Sequence, residues 1–322
     1  MRLLSIVVLG GTGFLGTRLV ARLIKDGHQV TVLSRDREQH KHLLVLPGLN
    51  LENCDVYQEP QLSERFRGKH VVINLVGILN ERGFGGAGFR RAHTELTQHV
   101  LLAAKSAGVA RLLQVSALQA APNAPSYYLR SKGEAEKLIR DQTAVDWTIF
   151  QPSVMFGPGD SFLNRFAGLL AAIPWIFPLA RPNARMQPVW VDDVVDALLH
   201  CLHGGECSHQ TYELGGPRIY TLREIVALAA KLTRRRRWIM GLPNFAGRLQ
   251  AFVMNFVPGR PFSSDNYRSL TVDSVCSTDG FAKLGIKPKS MAASALLFLG
   301  AQEDNARLSH NRAAAGRAKS GA

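Results

Sequence analysis

The sequence predicts an α/β protein: a doubly wound parallel sheet with a smaller lobe interleaved through its C-terminal half. Over the first 150 positions, short runs rich in Val, Ile and Leu alternate with helically spaced apolar residues. That is the pattern of strands covered by helices on both faces. A glycine-rich loop joins the first strand-like run to the first helical one. After residue 152 the alternation loosens into Gly- and Pro-bearing loops and two long mixed segments, 160–180 and 234–256.

Residues 4–9 read as a buried strand. A helix follows over 17–26, carried by Val20, Leu23 and Ile24 and stopped by Gly27. Residues 29–33 are rich in β-branched side chains and read as a second strand. Further strands are expected at 71–76, 111–115 and 147–150, the last ending at Pro152, with a helix over 94–108 closing on Gly108. Residues 189–191 and 211–214 look like strands returning to the sheet. The expected division is a first domain over 1–155, the smaller lobe over 156–300, and a disordered tail rich in Ala, Gly, Arg and Ser over 301–322.

The chain has 322 residues, 46% apolar and 20% charged, enough for one large domain and a second lobe. Its formal charge of +14 favours anionic partners such as phosphates or an acidic membrane surface, or else marks a solvated basic face. No zinc-finger, RRM or KH signature is present, so nucleic acid is not an expected partner. Cys54, Cys201, Cys207 and Cys276 are scattered without a CxxC pair; they suit a reducing compartment and predict no metal site. The N-terminus lacks a signal-peptide pattern. The longest apolar stretch, 166–180, contains Pro174 and Pro178 and falls short of the ~20 residues of a membrane span. The expected location is cytoplasmic, or peripheral at the inner face of a membrane.

Gly10-Gly11-Thr12-Gly13-Phe14-Leu15-Gly16 repeats glycine every three residues between strand and helix. The first glycine permits a tight turn, the second lets backbone approach a pyrophosphate, and the third lets helix pack close to strand. Free N–H groups and a partial positive charge at the helix start then meet the phosphates. The loop is the expected seat of an NAD(P)-type dinucleotide. At the end of the second strand Ser34 stands where an acidic residue would hold the ribose hydroxyls of NAD, and Arg35 and Arg37 can meet a 2′-phosphate. NADP(H) is therefore favoured over NAD(H), although Asp36 would reach a ribose if the strand ran on. Asp55 follows the third strand and could accept from the adenine amino group. Asn74, Val76 and Gly77, ending one strand, and Pro152, ending another, would run beside the cofactor; Asn74 could equally cap its strand.

Ser116 ends a strand, and Tyr128 and Lys132 open a helix twelve residues later. Spaced four apart, Tyr128 and Lys132 share one helix face. A phenol has a pKa near ~10 and is a poor base at neutral pH, but a nearby ammonium favours its phenolate. The expected catalytic set is Tyr128 as proton donor or acceptor, Lys132 at Tyr128 and the nicotinamide ribose, and Ser116 orienting the substrate oxygen. Tyr127 lacks the lysine at +4, so Tyr128 is the better candidate.

These residues resemble the extended or atypical short-chain dehydrogenase/reductases. Segments 71–77, 126–132, 156–167 and 187–194 are similar to the atypical branch that includes the nucleotide-binding accessory subunit of respiratory complex I and its bacterial relatives. The likeness runs from about residue 4 to residue 300 and implies a Rossmann-like fold and bound NADPH, with Gly10, Gly13, Gly16, Arg35, Asn74 and Lys132 touching it. In the complex I subunit the cofactor is structural, with no established turnover. Three departures stand out. The Ser116–Tyr128 gap is shorter than in extended epimerases, His93 stands where those enzymes usually have Asn, and Gln151 precedes Pro152 where many relatives have Arg.

Residues 238–262 concentrate Trp238, Phe245, Leu249, Phe252, Phe256 and Phe262 beside Arg234–Arg237. They would form a lobe core with a solvated basic rim, lie on an anionic membrane, or line a pocket for an isoprenoid substrate such as a quinone precursor. Two functions follow. One is an NADPH-dependent oxidoreductase or epimerase-type enzyme on a small molecule. The other is a non-catalytic NADPH-binding accessory or assembly subunit of a membrane respiratory or quinone-synthesis complex.

Overall fold

The computed structural model describes residues 3–81 and 83–300; the tail expected over 301–322 lies outside them. In chain order, β1 (Ser5–Leu9) passes through the glycine loop into α1 (Phe14–Lys25), β2 (Gln29–Ser34), a 3₁₀ segment (Glu38–Val45), β3 (Leu49–Asn53), α2 (Glu59–Phe66) and β4 (Val71–Asn74). Short α3 (Ala87–Arg90) and a π-turn (Arg91–Glu95) run into α4 (Leu96–Ala107), β5 (Arg111–Val115), α5 (Tyr127–Asp141) and β6 (Asp146–Pro152). The second half adds β7 (Met155–Phe156), α6 (Leu163–Ala172), β8 (Ile176–Leu179), β9 (Arg185–Met186), β10 (Val189–Trp190), α7 (Val191–His200), β11 (Gln210–Leu214), β12 (Tyr220–Thr221) and α8 (Leu222–Leu232). It continues with β13 (Trp238–Gly241), α9 (Asn244–Met254), α10 (Ser264–Ser269), α11 (Gly280–Lys283) and α12 (Met291–Ala295).

β1–β6 and β11 form one seven-stranded sheet in the order β11-β6-β5-β4-β1-β2-β3, parallel throughout. Strand side chains alternate between faces, and here both faces are apolar. Ile6 and Val8 of β1 pack with Leu19 and Leu23 of α1 and Val194 and Leu198 of α7. Val7 and Leu9 pack with Leu62 and Phe66 of α2 and Val100 and Ala104 of α4. β1 and β4 are neighbours while their following helices lie on opposite faces. A crevice opens at such a reversal, outside the C-terminal strand ends.

The second half is shared between sheet and lobe. α7 lies beside α1, where Arg18 meets Asp192 at 2.9 Å and Arg22 meets Asp196 at 3.2 Å. Both pairs are solvated and contribute little; the buried apolar rows hold the helices together. The lobe has its own core, including Phe156, Leu163, Leu170, Phe177, Ile225 and Phe298.

Several sequence expectations are corrected. The strand expected over 71–76 ends at Asn74, because the Asn74 Oδ1 accepts the Val76 N–H at 3.1 Å in place of a ladder partner. α1 begins at Phe14 rather than 17, directly on the glycine loop. Residues 189–191 do not rejoin the main sheet: Val189 and Trp190 pair with β7, and Val191 opens α7. The segment 211–214 does rejoin it, against β6. Residues 238–262 are a strand and a helix separated at Pro243, and they are not chiefly lobe core, since Trp238, Phe245, Leu249, Phe252 and Phe256 are exposed.

α5 carries Tyr128 and Lys132, and Gly133 sets how closely it approaches the loop after β5. A Cβ on Gly133 would lie 2.3 Å from the Ala121 carbonyl carbon. Gly133→Ala should push α5 outward and lower stability by about 1–3 kcal/mol, as overpacking does. Chemical denaturation measures this, and NAD(P)H affinity should fall with it.

Candidate functional site

The glycine loop is shaped by contacts that only glycine allows. Gly10 has φ +75°, and a Cβ there would lie 3.0 Å from Val76 N in the turn after β4. A Cβ on Gly16 would lie 2.3 Å from the Gly10 carbonyl oxygen. Gly13 caps α1 without a side-chain bond, and its N–H donates to the Gly10 carbonyl at 3.1 Å. The first-turn N–H groups of α1 have no carbonyl one turn earlier in the helix. Gly10, Gly13, Phe14, Leu15 and Gly16 line one end of a cavity of ≈ 550 Å³. Thr12 lies outside it, in a shallow depression with Arg18 and Pro158. A pyrophosphate fits this end of the cavity because the glycines bring loop, helix start and the turn after β4 together without side chains between them, and the helix-start amides supply its donors.

At the end of β2 the Ser34 hydroxyl is engaged in its own turn, accepting from Asp36 N and donating to Asp36 O. β2 does not run on. The Asp36 carboxylate caps the following 3₁₀ segment, accepting from the N–H groups of Glu38 and Gln39 and from the Gln39 side chain. The Arg35 and Arg37 side chains are exposed, and neither forms an ion pair among the described residues. Asp55 is exposed and accepts the Tyr57 N–H at 3.1 Å, and the Arg91 guanidinium lies 4.6 Å from the Tyr57 ring centroid.

Asn74 is buried; its Nδ2 donates to Gln114 Oε1 at 3.0 Å while its Oδ1 holds Val76 N. It braces the turn from below, whereas Leu75, Gly77 and Pro152 line the cavity. The Val76 carbonyl faces Lys132, accepting from Nζ at 3.2 Å.

Ser116, Tyr128 and Lys132 line the same cavity, so the short gap between Ser116 and Tyr128 does not keep the serine from it. Lys132 is 3% exposed. Its Nζ donates to Val76 O and, at 3.0 Å, to Val115 O, which leaves one N–H for a ligand. The Ser116 hydroxyl is buried and has no hydrogen-bond partner. Such a group carries a desolvation penalty until something meets it. Tyr127 is not on the lining; its ring lies between the guanidinium groups of Arg130 and Arg268, at 5.0 and 5.3 Å. Burial pushes the Tyr128 phenol up to about 12. Burial also pushes the Lys132 ammonium down to about 8, against the pull of Glu136.

Three supports for Tyr128 were not foreseen. Asp265 accepts the N–H groups of Tyr127 and Tyr128 at 2.7 and 3.1 Å, capping α5 from 138 residues downstream. Phe89 and His93 pack edge-on against the Tyr128 ring, with centroids 6.0 and 5.6 Å away. The His93 Nε2 accepts the Ile78 N–H at 3.1 Å, so the neutral ring carries its proton on Nδ1, 2.8 Å from Ser131 Oγ. Burial, then Lys132, holds His93 well below its ordinary pKa. Among the described residues no cluster of His, Cys, Asp or Glu could hold a metal ion, and no helix is long and apolar enough to cross a membrane.

Residues 10–159 match a family described as NAD(P)H-binding. The chain is 31% identical over 310 residues to the mitochondrial NADH dehydrogenase [ubiquinone] 1 alpha subcomplex subunit 9 of Arabidopsis thaliana, covering 91% of this chain and 76% of that one. It is 30% identical over 196 residues to a ceramide reductase of Caulobacter vibrioides, covering 60% and 59%. Its fold is that of the UDP-glucose 4-epimerase of Thermotoga maritima, with a TM-score of 0.73 at 17% identity over 94% of this chain and 99% of that one. Near-full-length likeness shows the family: the chain belongs with the alpha subcomplex subunit 9 of mitochondrial NADH dehydrogenase, with an NAD(P)H-binding match over residues 10–159 and the fold of the epimerase.

Proposed function

We propose that this chain is an NADPH-dependent oxidoreductase that reduces a carbonyl on an apolar substrate bearing an acyl or isoprenoid chain. The observation that carries this is the meeting of Tyr128, Lys132 and the partnerless Ser116 hydroxyl at the glycine-loop end of one cavity, with Phe166, Leu169 and Phe177 among its other walls. Bound in the cradle, the dinucleotide supplies a hydride. Ser116 donates to the substrate oxygen, and Tyr128 hands it a proton as the carbonyl becomes a hydroxyl. Lys132 lowers the cost of the phenolate left behind, and its remaining N–H holds the nicotinamide ribose. The NADP preference is supported by Asp36 being engaged as a cap, while Arg35 and Arg37 remain available to a 2′-phosphate.

The likeness to a complex I subunit over 91% of the chain favours a second reading. There NADPH is held as a structural ligand, and the lobe docks on a respiratory assembly at the inner face of a membrane.

Tyr128→Phe separates the two. Under the first reading, NADPH oxidation with decylubiquinone or 2-tridecanone as probe falls ~10²–10⁴-fold, while calorimetry shows NADPH affinity kept. If wild-type protein that binds NADPH turns over neither probe, the second reading is favoured. Arg35→Ala combined with Arg37→Ala should raise the Kd for NADPH roughly tenfold or more and leave that for NADH unchanged, by the same calorimetry.

Lys132 also leaves a mark on stability. Its folded pKa lies below its unfolded one, so between pH 8 and 10 the unfolded chain holds the proton that the folded chain has released. Stability must then rise with pH in that window. The cofactor-free protein should gain on the order of 2 kcal/mol from pH 8 to 10 relative to Lys132→Met in urea titrations.

A further inference from the structure

We propose that α9 and the chain flanking it dock this protein on an anionic lipid bilayer, with the outer face of α9 lying in the interface while its inner face closes the cavity. A surface helix normally turns polar residues outward, whereas α9 turns out four large apolar side chains beside Asn244 and Arg248. Phe245, Leu249, Phe252 and Val253 follow at helical spacing, with Phe256 just beyond, and all are exposed, Phe245 by 76% and Phe256 by 67%. The opposite side is equally apolar but packed. Gly247 and Ala251 are buried, a Cβ on Gly247 would lie 3.2 Å from Ala180 Cβ, and Met254 lines the cavity. Gln250, also on the lining, ties α9 to β8 through Pro178 O at 3.0 Å.

The exposed patch extends beyond the helix. Phe256 lies 5.4 Å from Phe252 and 6.0 Å from Phe84, which arrives from the segment before α3. The strand leading into α9 begins at exposed Trp238, whose N–H donates to the carbonyl of Trp175, itself 82% exposed. An exposed apolar cluster such as Phe252, Phe256 and Phe84 marks an interaction site, and the charge of the surrounding sequence points to the partner. Between Glu224 and Asp265 the sequence has no acidic residue and seven basic ones: Lys231, the four arginines at 234–237, Arg248 and Arg260. Exposed tryptophans, long basic side chains and a short helix largely apolar on its outer face match an interface carrying anionic headgroups. A protein groove would not require basic charge alone. At 11 residues α9 is ~16 Å long, suited to lying in the bilayer plane. The bilayer contact stands on these observations alone; that the cavity behind α9 draws its substrate from the membrane rests on the reductase reading.

Flotation of the full chain with vesicles tests this. It should float with phosphatidylcholine vesicles containing phosphatidylglycerol and far less with phosphatidylcholine alone. Phe245→Ser, Phe252→Ser and Phe256→Ser together should lower vesicle affinity at least tenfold, with melting temperature and NADPH affinity unchanged because all three side chains are exposed. Tyr128→Phe should float like the wild type, so a failed reductase reading leaves this proposal standing. Wild-type protein that stays unbound with anionic vesicles, or a triple variant that floats equally well, overturns it.

Discussion

The close approach of α1 to the end of β1 is the constraint on which the site depends. Gly16 lies so near the Gly10 carbonyl that no side-chain atom fits between them. That proximity brings the helix start, with its unsatisfied amides, to the mouth of the crevice beside β4. The turn after β4 is in turn pressed against Gly10, and its Val76 carbonyl holds Lys132. The glycine loop and the Lys132 end of the cavity are thus parts of one packed layer, connected through the turn after β4.

Around that layer the protein tolerates groups that are individually unfavourable. A lysine without a contacting carboxylate, a phenol pushed away from its working range and a hydroxyl with no partner are gathered in one place. Burial of the ammonium and of the partnerless hydroxyl costs stability, a cost that a ligand meeting them would relieve. Their positions are fixed from outside the cavity, by Asp265 on the first turn of α5 and by His93 behind the phenol ring. Strain of this kind is expected where binding, rather than folding, supplies the missing partner.

Much of this was legible in the sequence where the signal is local. The glycine loop is contiguous, and Tyr128 and Lys132 are one helical turn apart, so the spacing alone places them on one face. Asp265 was invisible because its partners lie 138 residues away. The apolar run 189–191 reads as a strand, but periodicity does not name its partner, and Trp190 pairs with Phe156 of β7 instead of with the main sheet. For α9 periodicity was no guide, because both its inward and outward positions are apolar and composition cannot say which side is wet. Asn74 was readable either as ligand or as cap, and its two amide bonds place it beneath the turn.

The path of the chain has one more consequence. α7 and β11 lie far along the sequence, yet one covers α1 and the other forms an edge strand of the main sheet. Cutting the polypeptide near residue 155 would uncover the apolar flank of α1 and strip β6 of its outer neighbour, β11. Neither fragment would be a self-sufficient folding unit, so unfolding should be a single cooperative event and gene fusions that exchange the front half alone should give insoluble products.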